Sequence, residues 1–247
     1  MTAPIPRDIP DLPALPGATP SLLPSPVPAR AVVPPVRRPL TAVYRVLLAL
    51  TATAAVAVEL LLGSPTRVLS YFGIQSTLLL VVVTLASARR AWTARHPLPG
   101  AITGAAFLYV AMAALVHHTV LADATPAFSM TGGTGTLETV AAYTLHTVIP
   151  VAALVDWLLL SPPARTHLRQ ATTWMLYPLA YLAFTLVRGE LLPGSPTGYL
   201  YPFLDVTQDG YKSVLANALL VGLSFYALAV LLVALDHTRP NPVRRRR

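Results

Sequence analysis

Six long apolar runs, almost free of charge, decide what this chain can become. They lie at about 41–63, 68–88, 100–122, 137–160, 172–188 and 211–235, and each approaches the roughly 20 residues a helix needs to cross a bilayer. Membrane-barrel strands alternate in polarity and run only about 10 residues, so helices are the spanning structure predicted here. The composition agrees: 54% of residues are hydrophobic and 11% charged, against about 25% charged in ordinary soluble domains. A soluble enzyme and a disordered regulator are thereby excluded. With no cysteine in the chain, so are a disulfide scaffold, a thiolate metal site and a cysteine nucleophile. The predicted fold class is all-α, a polytopic membrane protein built as a six-transmembrane-helix bundle over residues 41–236.

Two tails flank the bundle. Residues 1–40 hold 12 of the 25 prolines, and proline removes amide donors and disfavours helix at each preceding residue. This segment is predicted as a disordered, proline-rich cytoplasmic tail, partly polyproline II. No signal peptide is read, because the first apolar run begins only near residue 41. Residues 237–247 form a basic cytoplasmic tail ending in Arg244 to Arg247, suited to anionic lipid headgroups and not to nucleic acid.

Charge sets the orientation. Arg7, Arg30, Arg37, Arg38, Arg45, Arg89, Arg90, Arg95, Arg165, Arg169, Arg239 and Arg244 to Arg247 fall on one side of a six-span layout. Arg67, Arg188 and Lys212 remain on the other, together with Asp123, Glu138, Glu190, Asp205 and Asp209. The positive-inside rule then places both termini in the cytoplasm, as an even number of spans requires, and the protein in the cell membrane.

From that orientation, depth follows from the helical rise. Gln75, Ser76 and Thr77 lie roughly 10–14 Å below the outer end of the second span, and His146 about 14 Å below the outer end of the fourth. Glu59, His117, His118, Arg188 and Asn217 also fall in the outer half. Polar groups at such depth either line a polar interior or hold helices together by hydrogen bonds. Single hydroxyls fit the second role; His146 fits either. Asp156 and Trp157 read as interfacial anchors near Arg165. Pro150, four residues after His146, leaves the His146 carbonyl without its helical donor, and Pro178 does the same to Trp174. Gly100 and Gly104 allow a close helix approach. The glycine-rich run 132–135 lacks the Lys-Ser/Thr of a phosphate loop. Neighbouring His117 and His118 should point apart on a helix, which argues against a two-histidine metal clamp. No metal or cofactor motif is present.

Several strings, taken in order, carry a resemblance. They are residues 71–76 (Tyr71-Phe-Gly-Ile-Gln-Ser), 145–150 (Leu145-His-Thr-Val-Ile-Pro) with Asp156-Trp157, then Trp174, Tyr177-Pro178, Tyr181, Arg188-Gly189, and 201–205 (Tyr201-Pro-Phe-Leu-Asp) with Gly210-Tyr211. Over residues 41–236 the chain resembles a bacterial, largely actinobacterial, six-transmembrane family of unassigned function. That family is distantly similar to the androgen-induced and androgen-dependent TFPI-regulating membrane proteins, intramembrane threonine hydrolases of fatty-acid esters. The resemblance implies that His146 is the catalytic histidine and that the nucleophile position falls at Gly73, where no hydroxyl exists. Ser76 or Thr77, one turn deeper, are the substitute nucleophiles, and Gln75, His118 or Asn217 the oxyanion donors. Three functions are therefore expected, in this order: a membrane protein with a polar, possibly lipid-binding pocket centred on His146 and lined by Gln75, His118, Arg188, Asn217 and Glu59; a lipid-ester hydrolase; a small transporter or channel. Membrane lipids are the expected partners in all three.

Overall fold

A computed structural model describes residues 36–122, 128–133, 135–192 and 198–239; the two predicted tails lie almost wholly outside them. Among the described residues the chain is helical, with no strand. We number the helices α1 (Pro39–Leu62), α2 (Pro65–Val68), α3 (Phe72–Trp92), α4 (Gly100–Leu121), α5 (Thr136–Leu160), α6 (Arg169–Trp174), α7 (Leu176–Leu191) and α8 (Val206–Thr238). Five of them, α1, α3, α4, α5 and α8, are long and apolar enough to cross a membrane. The chain is a helical membrane protein.

Boundaries follow local chemistry. Pro39 opens α1, where its fixed φ is pre-set and its missing N–H is no loss. The second apolar run starts as a separate turn at Pro65. It enters α3 only after Tyr71, which is extended (φ −73, ψ 136) and whose side chain is buried. Tyr71 meets Phe128 and Tyr201 edge-on at 5.8 and 5.5 Å. The turn thus carries an aromatic plug into the core. In α8, Gly210 takes φ 72, a conformation natural to glycine, and offsets the first turn from the long apolar helix. Gly104 lets Trp174 lie on α4; a Cβ there would be 2.8 Å from the indole.

The fifth apolar run differs from the single helix predicted. It is divided at Met175 into α6 and the 16-residue α7, for the reason the sequence offers. Pro178 has no amide hydrogen for the Trp174 carbonyl, and the ladder breaks there. That carbonyl accepts instead from the Tyr109 hydroxyl on α4, at 3.1 Å.

α1 packs along α3, and α3 along α4, forming the body of the bundle. One end of it is closed by charge. Arg45 on α1 donates to Asp156 on α5 at 2.7 Å and to the Ser161 hydroxyl at 2.8 Å, and that hydroxyl donates to Asp156 at 3.1 Å. Asp236 and Arg239 pair at 2.7 Å at the end of α8. Asp236 accepts the Thr166 amide at 2.9 Å, while Arg239 donates to the Trp157, Ser161 and Pro162 carbonyls and lies 4.1 Å over the Trp157 ring. Asp156 and Trp157 are therefore not interfacial anchors. Both are buried, because a wide turn over 156–160 aims them inward at arginines from the two ends of the chain.

Removing one member of the Arg45–Asp156 pair strands a buried charge. Arg45→Ala is expected to lower stability by about 3–5 kcal/mol. The double change Arg45→Met with Asp156→Leu should recover most of that loss. Thermal unfolding in detergent reads both.

Candidate functional site

The site grows from Pro150. Without its amide, the turn before it widens over Thr144–Val148. The His146 carbonyl accepts from His118 Nε2 on α4 at 3.2 Å, and the Thr147 hydroxyl lies 3.1 Å from the same nitrogen. A carbonyl can only accept, so His118 carries its proton on Nε2. His146 Nδ1 in turn donates to the Ala142 carbonyl at 2.9 Å. Nε2 of the neutral ring is then left as an acceptor.

That nitrogen faces Gly73. A Cβ at Gly73 would stand 3.3 Å from His146 Nε2 and 3.6 Å from Ala113 Cβ. The first turn of α3 thus presents bare backbone to the imidazole. The His117 ring stacks on that of His146, 4.1 Å away and 11° from parallel. The prediction that His117 and His118 diverge is corrected by the local geometry. A wide turn begins at His117, and one ring covers His146 while the other reaches its carbonyl. Stacked rings direct their nitrogens side by side, not at a common centre, and no group of three or more metal-ligating side chains forms among the described residues.

His146 is 6% exposed and borders two cavities. The larger, about 410 Å³, is apolar; Phe72, Val116, Met175, Leu182, Tyr201 and Phe225 line it. Leu179, Leu215, Leu219 and Leu223 also line it yet are exposed on the bundle surface. Since α7 makes almost no close approach to α8, the cavity opens sideways between those two helices. The smaller, about 330 Å³, is apolar over most of its wall but carries more polar groups, with Glu59, His117, His118, Glu138, Tyr143 and Thr147 bounding it; we call it the polar cavity. Phe128, Met130 and His146 belong to both. Neither lining includes arginine or lysine.

The other predicted residues divide. Glu59 and His118 line the polar cavity. Gln75 does not: it donates to the Leu69 carbonyl at 3.0 Å and accepts from Tyr177 at 2.9 Å, tying α3 to α7. Ser76 and Thr77 are buried but line neither cavity. They share the helical face of Gly73 but lie one turn deeper, and the turn that reaches His146 is the one at Gly73. Arg188 donates to the Gly198 carbonyl at 2.7 Å, and Asn217 to that of Phe203 at 3.2 Å; both fasten the loop before α8 and are absent from the cavity walls. His117, Glu138 and Tyr143 were not singled out as pocket residues. Only their helical phase relative to His146 would have signalled them, and the wide turns shift that phase.

The fold and this site define a polytopic helical membrane protein with an apolar cavity among its helices and a buried histidine at the border of a second one. The chain matches no protein-family model, no curated protein and no solved structure.

Two proline-freed carbonyls are capped by side chains from α4. Tyr109→Phe and His118→Leu should each destabilise the bundle by about 0.6–2 kcal/mol, the range for a lost interhelical bond to a buried acceptor. Thermal midpoints measured against wild type in the same detergent test this.

Proposed function

We propose that the protein binds a single-chain lipid amphiphile drawn sideways from the bilayer. Its apolar chain lies in the 410 Å³ cavity and its head group meets His146 at the border of the polar cavity. The observation that carries this reading is the pairing of the two spaces around one buried imidazole. An apolar volume within the usual range of ligand pockets, with a few convergent polar groups at one end, is the form of a small-molecule site. Six crossings complete the topology, α6 and α7 together supplying the fifth. With both termini cytoplasmic, as arginine placement supports, the protein sits in the cell membrane and the polar cavity faces its outer side.

Gly222 supplies the test. It lines the apolar cavity, and a Cβ there meets nothing within 4 Å. Gly222→Trp is expected to fold and to remove saturable binding of a fluorescent single-chain amphiphile by protein in nanodiscs. Unchanged binding overturns the proposal.

One observation favours a second reading. The gap between Gly73 and His146 Nε2 is where a nucleophile and its base would meet, with only the hydroxyl missing. The native chain is then expected to turn over long-chain esters no faster than a detergent blank. Gly73→Thr should raise turnover after a recoil of a few tenths of an ångström, and His146→Ala should abolish the gain. Activity unchanged by Gly73→Thr removes this reading and leaves the binding proposal standing.

A further inference from the structure

Glu59 is the most anomalous carboxyl group among the described residues. It is 2% exposed, and its side chain forms no hydrogen bond or ion pair with any described residue. It stands in the last turn of α1, a turn without a basic residue, where the helix dipole already opposes a negative charge. Across the polar cavity is a second carboxylate, Glu138. Glu138 is better placed, in the first turn of α5, where the dipole favours an anion. It folds back over the glycine loop, since a Cβ at Gly133 or Gly135 would lie 2.5 Å from one of its oxygens. The nearby Arg67 donates to Tyr71 and is not among the cavity residues. A buried carboxylate beside another is stabilised by a proton or by a positive partner, and among the described residues neither cavity is lined by arginine or lysine.

The remaining walls suit such a partner. Tyr143 and Phe128 offer aromatic rings, with Thr139 and Thr147 adding hydroxyl acceptors. His117 Nδ1 is buried without a partner. An anionic head group would find no arginine or lysine in either cavity, whereas an ammonium would find two carboxylates and two rings for cation–π contact. We propose that the polar cavity receives a cationic head group, an alkylammonium or quaternary ammonium, paired with Glu59 and Glu138, while the attached chain fills the apolar cavity. This deepens the amphiphile-binding reading and rests on it.

Three probes with the same dodecyl-length chain separate the possibilities: dodecyltrimethylammonium, dodecanoate and monolauroylglycerol. Each is titrated onto the full chain in zwitterionic nanodiscs, with Gly222→Trp nanodiscs as the blank for partition into lipid. The wild type should bind the cation about tenfold more tightly than the neutral probe, and dodecanoate least well. Glu59→Gln should erase that preference, bringing the cation's affinity level with that of monolauroylglycerol on the same variant, and Glu138→Gln should weaken it. Equal saturable binding of all three to the wild type overturns the cationic-head assignment and leaves the amphiphile reading in place. Tighter binding of dodecanoate does the same. Absence of saturable binding by any probe overturns both. The wild-type ranking decides the matter even if Glu59→Gln fails to fold.

Discussion

A helix in lipid must satisfy its own backbone, because hydrocarbon offers neither donor nor acceptor. Two prolines break that rule here, and the organisation of the bundle depends on how the breaches are closed. Both orphaned carbonyls, at His146 and Trp174, are reached by side chains of the same helix, α4, through His118 and Tyr109. α4 is therefore the post to which the irregular helices are tied. α5 keeps its wide turn and α7 its separation from α6, yet neither leaves a buried carbonyl bare. Space appears as a by-product: where α7 leans away from α8, the apolar cavity opens.

The two ends of the bundle treat charge in opposite ways. At one end Arg45, Asp156, Ser161, Asp236 and Arg239 satisfy each other and the carbonyls around them, and only a small cleft remains there. At the other end two carboxylates, Glu59 and Glu138, share a cavity with hydroxyls, imidazoles and aromatic rings. The first end is complete as folded chemistry; the second keeps Glu59 buried without an ion pair among the described residues.

How much of this was legible beforehand varied with range. Hydropathy located all six apolar runs, and proline arithmetic named both orphaned carbonyls, since each rests on neighbours along the chain. The partners of those carbonyls were not legible. Tyr109 and Trp174 are separated by 65 positions and Arg45 and Asp156 by 111, and hydropathy carries no information about which faces meet. Asp156 read as an anchor because depth alone cannot distinguish a charge near the headgroups from one turned inward. The start of α3 was placed too early because Tyr71, apolar enough to continue the run, packs as an extended plug. The facing of Gly73 and His146 came only through resemblance; helical rise by itself matched His146 in depth to the stretch 75–77, one turn beyond Gly73 on the same face.

The wide turns at 117–121, 144–148 and 156–160 coincide with the imidazoles and with Asp156. Such a turn holds one residue more than the regular spiral around it, so each is a stored insertion. Excising a single residue from 144–148 would leave α5 as greasy as before and still long enough to span. It would also rotate everything on one side of the cut by about 100° relative to the other, carrying the imidazole off the bare backbone of α3. Relatives of this chain that differ by one residue at these turns would share its topology and its hydropathy profile while differing in chemistry. Gaps of a single position in an alignment, usually dismissed as noise, would here mark where function changes.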